Sequence, residues 1–207
     1  MRLFANITSI VFHPLLMVTY GVALALGYTY LALYPPIAKM YLLGGVFIST
    51  AVAPGLLVLL LVKGGAASDL ELTNRKERVL PYLIFIASNM VCLFYMHKMQ
   101  VPFWLQALVI GVCIALLIAL LVNFFWKISA HAIGIGGLLG AMMGVCRIHL
   151  LNPYWAFIIV IVIAGLVGTA RVILRKHTPM QIYAGFMLGF LCTYIACLWN
   201  YLYLFIK

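Results

Sequence analysis

The chain has 207 residues, 67% of them hydrophobic and 8% charged, with a formal net charge of +10 at pH 7. Soluble domains hold about 25% charged residues, so the composition excludes a soluble globular protein and leaves no length for an extramembrane domain. Short alternating strands separated by turns, the mark of a membrane barrel, are not seen in the sequence, and helices satisfy their own backbone groups in lipid. The expected fold is all-α: a polytopic transmembrane bundle of about six to seven helices, built as one integral membrane domain over residues 1–207.

A spanning helix needs about 20 apolar residues. Runs of this kind are read at 9–33, 40–62, 81–97, 102–125, 131–147, 153–171 and 179–206. The first run follows a single early cation, Arg2, and ends near a weak cleavage pattern, Ala23-Leu24-Ala25. It is interrupted by His13-Pro14, and the expectation is an uncleaved first helix. Pro54-Gly55 marks a kink in the second run. Only Lys63–Leu80 is a substantial loop. It contains all three carboxylates of the chain, Asp69, Glu71 and Glu77, interleaved with Arg75, Lys76 and Arg78. The fifth run carries Gly134, Gly136, Gly137, Gly140 and Gly144, which read as close helix packing in a membrane rather than a phosphate loop. The five cysteines, Cys92, Cys113, Cys146, Cys192 and Cys197, fall in apolar runs without metal-ligand spacing and read as small apolar side chains.

Seven crossings place the N-terminus, the Lys63–Leu80 loop, Lys127–His131 and Arg171–Gln181 on one membrane face, with His13-Pro14 toward the same side and placed to line a site there. Lys39, Lys98, Arg147 and Lys207 lie on the other. The positive-inside rule favours a cytoplasmic location for the first face. Setting aside Arg75, Lys76, Arg78, Lys127 and Arg171 as candidate site residues leaves the two faces tied, so the rule gives no orientation.

Ionisable clusters at a membrane edge are expensive and mark candidate sites. The densest runs from Ala170 to Gln181. Arg171 and His177 lie six apart, and Thr178-Pro179 has the composition of a helix start. Free N–H groups at such a start, with Arg171, Arg175 and Lys176 nearby, suit a phosphate. An ordinary basic membrane boundary fits the same residues. Lys127, Ser129 and His131 form the second cluster, where Ser129 also reads as a simple helix cap. Arg75 and Arg78 suit multidentate binding of phosphate oxygens; a solvated, self-paired charge loop is the alternative.

Taken together these segments resemble the type 2 phosphatidic acid phosphatase superfamily, whose motifs are K-x6-R-P, P-S-G-H and S-R-x5-H-x3-D. The third appears as Ala170-Arg171-x5-His177-x3-Gln181 and continues Ile182-Tyr183-Ala184-Gly185; the second appears as Ile128-Ser129-Ala130-His131. Asn74–Pro81 supplies Arg75, Lys76, Arg78 and Pro81, but not at the first motif's spacing. The resemblance runs over roughly residues 69–207, with 1–62 forming two additional helices.

It implies a membrane phosphohydrolase acting on a lipid phosphate or pyrophosphate, with no cofactor and no metal. His177 is then the nucleophile that becomes a phosphohistidine, and His131 the acid that protonates the leaving alkoxide. Arg171, Ser129, Arg75, Arg78 and Lys127 hold the phosphoryl oxygens. Gln181 stands where the family has the Asp that orients the nucleophile; it can accept the ring N–H but supplies no negative charge. If a carboxylate compensates, it must be Asp69, Glu71 or Glu77. Two other classes fit: a family member that binds or moves a phosphorylated lipid without hydrolysis, and a small transporter or channel. A transporter is expected to hold its polar groups near the midplane, whereas these gather at one face. The cations are too few and too divided among short turns for a nucleic-acid surface. The expected location is a bacterial inner membrane.

Overall fold

A computed structural model of the chain describes residues 1–65 and 75–206; Asp69 and Glu71 lie outside them. All regular structure among the described residues is helical, and seven segments are long and apolar enough to cross a membrane. The molecule is a polytopic helical membrane protein.

The first segment differs from its expected start at residue 9. Helix α1 covers Arg2–Val11, a 3-10 turn covers Pro14–Leu16, and α2 covers Met17–Tyr28. Pro14 has no N–H to donate and disfavours helix in the residue before it, so His13 is extended (φ −65°, ψ 139°) and the helix breaks there. Polar residues near the chain start concealed α1. Its outward side is apolar, with Leu3, Phe4, Ile7 and Ile10 at least half exposed, while Ala5, Thr8 and Ser9 are buried. That is the polarity of a helix facing hydrocarbon outside and a polar interior.

The second segment is α3 (Pro36–Phe47), a π-helical turn at Ile48–Val52 and α4 (Ala53–Lys63). The wide turn accommodates Pro54, whose ring clashes with the preceding carbonyls of a regular helix. Ser49 Oγ donates to Gly45 O at 2.7 Å and Thr50 Oγ1 to Val46 O at 2.8 Å, giving carbonyls beside the bulge a partner. The remaining spans are α5 (Val79–Lys98), α6 (Phe103–Asn123), α7 (Ala130–His149), α8 (Tyr154–Ile173) and α9 (Pro179–Ile206).

Helix α7 is the centre of the bundle, touching α2, α6, α8 and α9, and α1 lies against α8. Close approach of α7 to α9 depends on glycine. A Cβ on Gly136 would sit 2.2 Å from Phe186 O, and one on Gly189 2.0 Å from Ile133 O. Backbone contact of this kind is how helices gain dispersion energy where lipid is as apolar as leucine. Cys92, Cys113, Cys146 and Cys197 are buried free thiols, in keeping with their apolar reading.

Helix α8 ends in a Schellman turn. The Lys176 N–H donates to Arg171 O at 3.1 Å and the Arg175 N–H to Val172 O at 2.9 Å, with Arg175 in the left-handed region (φ 55°). This reversal carries the chain from Arg171 back into α9 within a few residues, and so brings His177 near Arg171.

Candidate functional site

Helix α9 begins with a capping box, Thr178-Pro179-Met180-Gln181. Gln181 Oε1 accepts the Thr178 backbone N–H at 3.2 Å, and the Gln181 N–H donates to Thr178 Oγ1 in a long bond of 3.5 Å. Pro179 occupies the first helical position, where a missing N–H costs nothing. Sequence reading recognised Thr178 and Pro179 as a helix start; the Thr-x-x-Gln spacing that also assigns Gln181 was present and unused.

The cap determines the chemistry of His177. Its Nδ1 lies 3.1 Å from the same Gln181 Oε1. A backbone N–H can only donate, so the atom facing Thr178 is the amide oxygen, and an oxygen can only accept from Nδ1. His177 is therefore protonated on Nδ1 and carries its lone pair on Nε2. The ring is 8% exposed. Burial lowers its pKa from 6.5 to about 3; the Gln181 bond opposes this, and the Arg78, Lys127 and Arg171 cations add to it. The imidazole is neutral at physiological pH.

His131 sits in the first turn of α7, which Ser129 caps by accepting the Ala132 N–H at 3.4 Å. The Ser129 N–H donates to Gln181 O at 3.4 Å, tying the two helix starts together. His131 Nε2 is 3.1 Å from Ser9 O, a carbonyl at the end of α1, so Nε2 carries a proton. The hydroxyl of Ser9 accepts from Arg171 Nη1 at 3.3 Å. One residue of α1 thus holds both groups.

The residues before α5 are stapled to the segment before α7. Arg75 Nη1 donates to Phe125 O at 2.7 Å, Asn123 Nδ2 to Arg75 O at 3.0 Å, and Arg78 Nη1 to Ile128 O at 3.1 Å. Arg78 and Arg171 are buried, at 6% and 3% exposure. Two guanidinium groups at that depth hold positive charge in a setting where screening is weak.

These elements enclose a cavity of about 500 Å³ lined by Asn6, Ser9, His13, Arg78, Tyr82, His131, Arg171 and His177, among others. His177, His131, Arg171 and Arg78 thus face one space, with Gln181 behind His177 and Lys127 near enough to act on it electrostatically. Arg75 and Ser129 stand beside the cavity without lining it: Arg75 is committed to Phe125, and Ser129 is fully buried as a cap. Glu77 lies in the 3-10 turn Lys76–Arg78 and is also not on the lining. Asp69 and Glu71 belong to the residues not described.

Ser9 and Asn6 were not found from the sequence, whereas His13 was read there as lying on the same side and placed to line the site. The available signal was polarity: Asn6, Ser9 and His13 interrupt an otherwise apolar run.

Residues 123–203 match the family model described as PAP2 superfamily. The match holds Lys127, Ser129, His131, Arg171, His177 and Gln181; Arg75, Arg78, Ser9 and His13 lie outside it. No curated protein and no solved structure matches the chain.

Proposed function

We propose that the chain, whose residues 123–203 match the PAP2 superfamily model, is a type 2 phosphatidic acid phosphatase relative that removes phosphate from a membrane lipid phosphate or pyrophosphate through a phosphohistidine. The observation that carries this reading is the tautomer of His177, which leaves a lone pair on Nε2 of a ring that lines the same cavity as Arg78 and Arg171.

His177 Nε2 attacks phosphorus and a P–N bond forms as the bond to the leaving oxygen breaks. That oxygen takes a proton from His131, doubly protonated when it acts. Water then attacks the phosphohistidine and gives its proton to His131, and the P–N bond breaks to release inorganic phosphate. Splitting the transfer in this way suits an oriented imidazole. Arg171 and Arg78, with Lys127 nearby, neutralise charge on the phosphoryl oxygens, which is the main catalytic demand of phosphoryl transfer. No metal is required in this scheme.

Gln181 supports a second reading. Its amide orients His177 but supplies no charge to stabilise the cationic phosphohistidine, which suits a protein that binds or moves a phosphorylated lipid. The test is phosphate release by purified protein in detergent from phosphatidic acid, phosphatidylglycerol phosphate, and undecaprenyl phosphate and diphosphate, with His177→Ala as control. Release that vanishes in the variant supports the phosphatase. Binding of one of them without release by the wild type supports the second reading.

A further inference from the structure

We propose that His13 is a phosphate ligand of this site, donating from Nε2–H to a phosphoryl oxygen beside His131. The inference rests on the reading that the cavity receives a phosphoryl group. It adds a residue from the N-terminal segment, outside the family match.

Three observations converge on His13. It lines the cavity with Arg78, His131, Arg171 and His177. Its ring stands edge-on to that of His131, with centroids 5.3 Å apart and planes at 79°. Its Nδ1 accepts the Leu15 N–H at 3.4 Å, which places the proton of the neutral ring on Nε2. The cap that fixes the bend at Pro14 therefore also makes the ring a donor of set orientation. The rest of the segment is built to the same end. Helix α1 turns apolar side chains outward and Ser9 inward, onto both His131 and Arg171. Polar atoms so placed in a chain this apolar mark function rather than lipid contact.

The competing account is structural, with His13 serving only as the cap of the turn at Pro14–Leu16. Two conservative variants separate the roles. His13→Asn keeps a capping acceptor at the position of Nδ1 and removes the distal donor. His13→Gln restores a distal N–H donor and gives up the cap.

The experiment measures phosphate release and, independently, binding of orthovanadate to the full chain in detergent, with the thermal midpoint of each variant. For His13→Asn the proposal expects kcat/KM to fall about 10²-fold, the effect of removing one oxyanion donor. It also expects weaker orthovanadate binding, an unchanged midpoint and partial recovery in His13→Gln. Wild-type turnover and orthovanadate affinity in His13→Asn overturn it, as does damage that follows the midpoint alone. If the wild type binds orthovanadate without releasing phosphate, and His13→Asn weakens that binding, the ligand role stands and the phosphatase reading falls. A wild type that neither releases phosphate nor binds orthovanadate overturns both.

Discussion

The His177 ring and the Gln181 side chain meet at 3.1 Å through an amide oxygen whose identity is set by the Thr178 N–H. Gln181→Glu keeps the reach of the side chain and adds a negative charge beside the ring. The His177 pKa should then rise from about 3, because a neighbouring anion favours the imidazolium. An NMR titration of the His177 ring that shows no upward movement would refute the contact. Gln181→Leu removes the acceptor and leaves the tautomer unset, with an expected loss of turnover of about 10²-fold or more.

His177→Ala should abolish phosphate release, since it removes the proposed nucleophile. His131→Ala should lower it by about 10²- to 10⁴-fold, the range of a lost general acid. Trapping of ³²P on the wild-type protein, and its absence in His177→Ala, checks the covalent step. Turnover that survives His177→Ala rules the mechanism out.

The depressed His177 pKa has a consequence for stability. Between about 3 in the folded chain and 6.5 when unfolded, the unfolded state binds more protons, so stability rises with pH across that window. The contribution is fully present above 6.5 and is lost as pH falls toward 3. His177→Asn removes it. The thermal midpoint of wild type relative to His177→Asn, measured without phosphate, should therefore be constant above pH 7 and fall below pH 6. A difference that stays flat throughout contradicts the burial of a neutral ring.

Arg75 and Arg78 were equivalent as sequence candidates and are unequal in structure. Arg78 lines the cavity and Arg75 is bonded to Phe125 O. Arg78→Ala should lower kcat/KM by about 10- to 100-fold, matching the loss of hydrogen bonds to a charged group. Arg75→Ala should stay within about twofold in kcat/KM and instead lower the thermal midpoint. Equal kinetic losses in the two variants would place Arg75 on the substrate.

Gly189→Ala should disrupt both fold and activity, because the new methyl group meets Ile133 O at 2.0 Å and forces α7 from α9. Gly27→Ala, with nothing within 4 Å of its Cβ, is the matched control. Elution volume and thermal midpoint in detergent distinguish the two. A folded, stable Gly189→Ala protein would contradict the close approach of these helices.

Much of this architecture is legible in the residues. The spans from 40 onward were readable because each is an apolar run bounded by proline, asparagine or charge, and hydrophobic length is the one quantity a bilayer measures. His131, Arg171 and His177 stood out because ionisable groups are scarce in such a chain. Helix α1 escaped because its inward face is polar, so a search for uninterrupted apolarity starts too late, at residue 9 rather than Arg2. For the same reason Ser9 could not be connected to His131, which lies 122 residues away.

The sequence by itself determined membrane insertion, the spanning helices and the inventory of cations and imidazoles, since these depend on local composition and length. The tertiary structure decided which of them share a cavity, that Ser129 caps while Arg78 lines the cavity, and that Ser9 and His13 line it too. It also decided the tautomer of His177, through a capping box whose second function exists only where the turn after Arg171 folds back. Contacts between distant segments depend on how helices pack, and glycine-mediated approach of α7 and α9 to backbone contact is a property of the assembled bundle, not of either helix alone.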